Sequence, residues 1–360
     1  MQFKHKRLYI IVLIALLLLF AGKIYYDTNS IEIRHYQIKS NSTVNGSTAA
    51  PQPSSTLVEV LEGLKLAHLS DLHIKSIGLK EEELLEILRK EKPDLVFITG
   101  DSIDFKGPYE PAMTFFHQIE APFGVYAVMG NTEYSNENGS CILCHEKSSR
   151  TLQGKQNPII LRNAVFPLRI NGNLLNIVGV DDPVNKKSNL RAAVRGNNQK
   201  IPSILLAHSP EIFEEASEAG VDLLLCGHTH GGQIFITRYL RKIFPLIDPA
   251  LEFISGFFQK GKTLMYVSRG IGNSFLPFRL SVKPEIAFLK FSNELIHHNN
   301  TSALQHNNTL SNPINTVSIS NNPSKTIFTG LSLLSFIETF GVLNVFESLH
   351  LTAAQQHHFK

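Results

Sequence analysis

Five short polar segments, each following directly on an apolar run, constrain this chain more than any other feature: Ser-Asp-Leu-His (Asp71, His73), Thr-Gly-Asp (Asp101), Gly-Asn-Thr-Glu (Asn131, Glu133), Ala-His-Ser-Pro (His208) and Gly-His-Thr-His-Gly-Gly (His228, His230). The runs ahead of them, 64–69, 95–99, 125–129, 204–207 and 223–226, are short and aliphatic and read as buried strands. Open α/β sheets place their sites outside the carboxyl ends of strands. The spacing therefore predicts an α/β chain in which Asp71, His73, Asp101, Asn131, His208, His228 and His230 converge as metal ligands. Carboxylate oxygen, amide oxygen and neutral imidazole together suit two divalent ions such as Mn, Fe or Zn. A carboxylate can bridge such a pair and lower the repulsion between the ions.

These motifs, in this order, resemble the calcineurin-like metallophosphoesterase superfamily, and within it a membrane-anchored bacterial phosphodiesterase branch. The resemblance runs over 31–291 and takes in Val-Ser-Arg-Gly-Ile-Gly at 267–272 and Pro-Glu-Ile at 284–286. It implies a four-layer α-β-β-α sandwich. It also implies that Asp71, His73 and His230 hold one ion, that Asn131, His208 and His228 hold the other, and that Asp101 bridges them. The expected reaction is hydrolysis of a phosphodiester or pyrophosphate bond, with Asp101, Asn131, Glu133 and His208 as catalytic residues. Paired ions about 3.5–4 Å apart polarise the phosphoryl group and lower the pKa of the attacking water. At one position the chain departs from the family. Gly-Asn-His is the usual motif; here Thr132 replaces the histidine, while Glu133, the acid that would orient it, is kept. The resemblance assigns that imidazole to the leaving oxygen, and a threonine cannot protonate it at neutral pH. General-acid help is worth about 10²–10⁴-fold. Leaving groups good enough to need no acid are the other way to read the substitution.

A second anomaly follows in the same loop, 131–157. Cys141-Ile-Leu-Cys144-His145 has the spacing of covalent c-type haem attachment, with His145 as the axial ligand. A Cys141–Cys144 disulfide, half of a zinc site, and a His145 that replaces the missing imidazole remain the alternatives. The haem option opens a second functional class, a haem-bearing redox or sensor protein built on a phosphoesterase scaffold with low turnover. Retention of all seven candidate ligands favours the enzyme.

The leader sets the compartment. Residues 8–22 are uninterruptedly apolar and, with Lys23 snorkelling, the run extends through 26, about 19 residues and close to the length a bilayer demands. Lys4, Lys6 and Arg7 precede it and Lys23 alone follows at once, so the basic tip at 1–7 belongs in the cytoplasm and the catalytic domain outside. A signal peptide cleaved after export, or a domain on the cytoplasmic face, is the alternative. Phe20-Ala21-Gly22 puts a bulky residue where a cleavage site wants a small one, which favours an uncleaved single-pass anchor. A net charge of +3 over 360 residues gives no ground to expect nucleic-acid binding.

The remaining organisation follows from composition. Residues 27–60 read as a first strand (31–38) and a flexible Ser/Thr/Pro loop (40–56), with the catalytic domain at 61–292. Helices are expected at 80–90 and 210–219, and Asn171-Gly172 predicts a hairpin. An Asn/His/Ser/Thr linker at 293–325 leads to an apolar tail at 326–360. The insert at 233–261 carries Tyr239, Arg241, Lys242, Phe244, Phe253, Phe257 and Phe258. Such a surface would receive a lipid-linked phosphate ester at the membrane, or its aromatics simply pack over the sandwich edge. Cys226, inside a strand, reads as a buried thiol.

Overall fold

The computed structural model describes residues 2–40, 54–135, 158–196, 198, 200–234, 249–274 and 276–293. Cys141, Cys144 and His145, Tyr239 to Phe244, and the linker and tail lie outside these described residues.

Among the described residues, twelve strands form two sheets of six. In the first, β1 (Glu32–Ser40), β12 (Glu285–Asn293), β2 (Lys65–Leu69), β3 (Leu95–Thr99), β4 (Val125–Val128) and β5 (Ile159–Ile160) lie side by side in that order. The second runs β10 (Gly256–Lys260), β11 (Thr263–Val267), β9 (Leu223–Cys226), β8 (Ser203–Leu206), β7 (Asn173–Gly179) and β6 (Ala164–Ile170). β2, β3 and β4 pair in parallel, as do β7, β8, β9 and β11, so the chain leaves each of these strands on the same side of its sheet. Every strand that precedes a candidate ligand is one of these.

Alternation within each apolar run builds the layers. Leu95 and Phe97 face inward with Leu66, Tyr126, Leu206, Leu225 and Tyr266, making the core between the sheets. Val96 and Ile98 face outward onto α3 (Leu79–Glu91) and α4 (Glu110–Phe116) through Leu84, Leu88, Phe115 and Phe116. On the far side Leu205, Leu224 and Met265 pack on α5 (Leu190–Ala193) and α6 (Phe213–Glu218). Strands covered on both faces have no polar alternation, which is why the sequence shows them as continuous aliphatic runs. The four-layer α-β-β-α sandwich is therefore present. Helix α3 has Glu81 and Glu82 in its first turn and Arg89 and Lys90 in its last, matching the helix dipole, and ends on left-handed Lys92 before Pro93.

Two local expectations change. Residues 55 and 56, expected as the end of the flexible loop at 40–56, instead begin the helix α2 (Ser55–Leu61). Ser54 caps it by accepting the Leu57 N–H at 3.3 Å, and Leu57, Val58 and Leu61 enter the inter-sheet core. The segment expected as a helix at 210–219 divides into a 3-10 turn, Pro210–Ile212, and α6. The predicted hairpin joins β6 to β7, with Asn171 and Gly172 both at positive φ, as its two-residue turn requires. In the insert, Phe253 and Phe258 stack edge to face 5.0 Å apart on the outer core, and Phe257 packs on Tyr266. These aromatics are packed over the sheet.

The chain begins in α1 (Gln2–Asn29), of which Leu8–Asn29 contains an 18-residue window of mean hydropathy 2.5 and is long and apolar enough to cross a membrane. Its last turn is not free. Asp27 and Thr28 are buried against the segment at 279–283, and β1 begins three residues after the helix ends.

Candidate metal centre

All seven candidate ligands lie just beyond the ends of β2, β3, β4, β8 and β9. They fall into two groups that share Asp101. In one, Asp71, His73, Asp101 and His230 bring one donor atom each to within 4.8 Å of one another. There His73 Nε2 stands 3.3 Å from His230 Nε2 and 3.5 Å from Asp101 Oδ2, and His230 Nε2 stands 3.4 Å from Asp71 Oδ1. In the other, His208 Nε2 lies 3.3 Å from Asp101 Oδ1, 3.1 Å from Asn131 Oδ1 and 3.2 Å from His228 Nδ1. Asp101 thus turns one oxygen to each group.

Such spacings are those of atoms that share a cation. Ligands about 2.1 Å from one ion stand about 3.0–3.4 Å apart at octahedral to tetrahedral angles. Two imidazole nitrogens face each other in each group, an arrangement that needs a proton or a cation between the lone pairs. The Thr99 carbonyl, 2.9 Å from His208 Nδ1, can only accept, so it places the proton on Nδ1 and leaves Nε2 toward Asn131 and Asp101. The His228 N–H donates to both Asp71 oxygens at 3.0–3.1 Å, and the Thr132 N–H donates to Asp101 Oδ1 at 2.9 Å. The donor set fits two divalent ions.

Electrostatics agree. Burial alone would raise the Asp71 carboxyl, but His230 and His208 hold it below its ordinary value. Burial opposes Asp101 in the same way, and His208 and His73 hold it far below the carboxylate range. Burial lowers His230 to about 3, so its ring is neutral. For His208, burial lowers, but Asp101, Asp71 and the Thr99 carbonyl together raise it well above the ordinary imidazole value; a proton and a metal ion compete for that edge. Partial exposure of Asn131 and His228 marks the open side of the site.

The backbone carries a further signature. Asp71, His73, Asp101, His228 and His230 all have φ between 47° and 71°, the left-handed region that side chains other than glycine avoid. Each such residue costs about 1–3 kcal/mol, and strain of this kind collects where function holds it. Glycines make the crowding possible. A Cβ at Gly227 would run into Ser70 and Asp71, and one at Gly130 into Asp101. If the strain serves ligation, His73→Gly should raise the melting temperature of metal-free protein by about 2–4 °C while weakening metal uptake. An unchanged or lower melting temperature would show that the conformation is not strained.

Glu133 is buried and its carboxylate accepts the N–H groups of Gly130 at 2.7 Å, Asp101 at 3.1 Å and Ser102 at 2.7 Å. It braces the two ligand loops through their backbones. Beside it, the Thr132 hydroxyl is buried and has no hydrogen-bond partner among the described residues. Cys226 is buried in β9, as its sequence position implies. Two residues outside the expected site residues also support the ligands: Thr99 of the Thr-Gly-Asp segment, through its carbonyl, and Arg279, whose Nη2 is 3.3 Å from His230 Nδ1. An arginine in the otherwise apolar Leu-Pro-Phe-Arg-Leu stretch at 276–280 was the available signal, since a buried guanidinium must find acceptors.

Comparison with known proteins agrees with the geometry. Residues 64–232 match the calcineurin-like phosphoesterase family. The chain is 30% identical over 270 residues to the uncharacterized metallophosphoesterase YkuE of Bacillus subtilis, an alignment covering 73% of this chain and 86% of that one. A Bos taurus transmembrane protein with a metallophosphoesterase domain is 30% identical over 275 residues, 69% of this chain and 59% of its own length. The UDP-2,3-diacylglucosamine pyrophosphatase LpxG of Chlamydia muridarum is 27% identical over 279 residues, covering 64% and 84%. On its strand-end ligands, its layered fold and these relatives, the chain belongs to the calcineurin-like phosphoesterase family of metal-dependent hydrolases.

Proposed function

We propose that this protein is a membrane-anchored, dinuclear metal-dependent phosphoesterase that hydrolyses a phosphodiester or pyrophosphate bond. The observation that carries the reading is the pair of donor groups hinged on the two oxygens of Asp101. Asp71, His73 and His230 would hold one ion and Asn131, His208 and His228 the other. A bound ion pair would supply the positive charge that polarises a phosphoryl group and lowers the pKa of the attacking water. The protein's own part is positional. Thr99 orients His208, the His228 N–H orients Asp71, and Glu133 keeps both ligand loops in register. Thr132 offers no imidazole to the leaving group, so its proton would come from water or from His145, which lies outside the described residues, or would not be needed by substrates with acidic leaving groups.

A lipid- or nucleotide-linked phosphate ester is the proposed substrate class, supported by the likeness to LpxG and by the apolar helix α1. The basic residues before α1 favour a catalytic domain on the outer face. The Cys141-x-x-Cys144-His145 segment is proposed as a haem attachment in the loop that follows Asn131, a reading supported by its spacing alone. A haem stain on a denaturing gel tests it, since thioether links outlast unfolding and Cys141→Ser would abolish the signal. For the hydrolase, bis(p-nitrophenyl) phosphate should be turned over with Mn²⁺, lost on chelation and recovered on readdition. Hydrolysis that ignores chelation would remove the dinuclear mechanism.

A further inference from the structure

The last turn of α1 is spliced into the support of the metal centre. The Thr28 hydroxyl donates to the Ile24 carbonyl at 2.7 Å and accepts the Arg279 N–H at 2.9 Å, so both of its roles are used. Asp27 Oδ2 accepts the Ser281 N–H at 2.7 Å. Lys80, in the first turn of α3, reaches the Thr28 carbonyl at 3.4 Å. These contacts fix the backbone of residues 279–281 to the helix.

From that fixed backbone the Arg279 side chain runs inward and is fully buried. Its Nη1 donates to the carbonyls of Arg269, at 2.9 Å, and His230, at 3.5 Å. Its Nη2 donates to the Gly272 carbonyl at 2.5 Å and lies 3.3 Å from His230 Nδ1. The Gly272 N–H in turn donates to the Asp71 carbonyl at 2.6 Å. The guanidinium therefore grips His230 along the edge opposite the one that meets Asp71 and His73, and ties down the loop that abuts Asp71. None of these contacts reaches Asn131, His208 or His228.

We infer that Arg279 is a positioning residue for one ion of the pair, and that the end of α1 sets its position through Thr28 and Asp27. The inference rests on the dinuclear reading above. It makes the anchor part of the metal site held by Asp71, His73 and His230, and leaves the site held by Asn131, His208 and His228 independent of it. Loss of a hydrogen-bonding support of a metal ligand typically lowers metal affinity about 10–100-fold.

The test uses the full-length chain in detergent and Mn²⁺ alone, with two readouts: calorimetric stoichiometry and affinity, and the electron paramagnetic signal that separates coupled ion pairs from single ions. Thr28→Val removes the acceptor of the Arg279 N–H at nearly constant shape, and Arg279→Met removes the grip on His230. Both should weaken one of two Mn²⁺ sites about 10-fold or more and convert the coupled signal to that of a single ion. Thr28→Ser should restore it. Lys262→Ala breaks the 3.2 Å ion pair to Asp222 at the opposite, amino-terminal ends of β9 and β11, and serves as a control for general destabilisation. Two Mn²⁺ ions bound at wild-type affinity in Thr28→Val and Arg279→Met would overturn the inference and leave the dinuclear reading intact. Equal weakening of both sites, matched by Lys262→Ala, would also overturn it. A wild-type chain that takes up no Mn²⁺ would instead bring down the dinuclear reading itself.

Discussion

Asp101→Ala should leave the protein folded, with both metal sites emptied and hydrolysis of an activated phosphodiester reduced by at least about 10³-fold. The reason is its double use: Oδ2 faces His73 and Oδ1 faces His208, so one side chain serves both groups. Removing a partner that merely orients a ligand costs about 10–100-fold in affinity or activity, and loss of the shared ligand should exceed that. Asp101 also sits at φ 49°, so a replacement with no ligand role retains the strain and gains nothing from it. Metal content measured beside turnover decides the matter. Two ions retained with near-normal turnover would show that Asp101 does not bridge.

Thr132→His should raise turnover by about 10²-fold on esters with basic leaving groups and change activated nitrophenyl esters little, since only the former need a proton. The position is prepared for a polar group. Thr132 begins a 3-10 turn between Asn131 and Glu133, its N–H is fixed to Asp101, and its hydroxyl is buried without a partner among the described residues. A side chain there starts beside the Asp101 carboxylate. Comparing the variant on alkyl and nitrophenyl diesters separates proton donation from altered packing; equal effects on both would show that the residue does not handle leaving-group charge.

The candidate site was unusually open to reading because its ligands are short side chains at the ends of strands. Those strands are covered on both faces, so runs such as Leu-Val-Phe-Ile-Thr at 95–99 announce themselves by composition. The two-residue turn at Asn171-Gly172 was legible for an equally local reason. Helix α2 was not. Ser54 and Thr56 look like loop, and what makes 55–61 a helix is a cap at Ser54 and burial of Leu57, Val58 and Leu61 against strands far along the chain. Arg279 was hidden in the same way, since its meaning depends on His230, 49 residues earlier, and on Thr28, 251 residues earlier. The left-handed backbone at five ligands leaves no mark in residue type, because aspartate and histidine are common in ordinary conformations too.

The ligands come from both sheets: Asp71, His73, Asp101 and Asn131 follow strands of one, and His208, His228 and His230 follow strands of the other. Either donor group therefore spans the seam, and an ion held there would work as a rivet between two plates, alongside the Thr99–His208 and His228–Asp71 hydrogen bonds and the packing of Phe97, Leu206, Leu225 and Tyr266. Sliding or breathing of the plates would change ion geometry directly. Residues with no polar atom near the reaction thus become part of the gauge that sets the distance between the two charges, and the hydrophobic interior carries a tolerance requirement as well as a stability one.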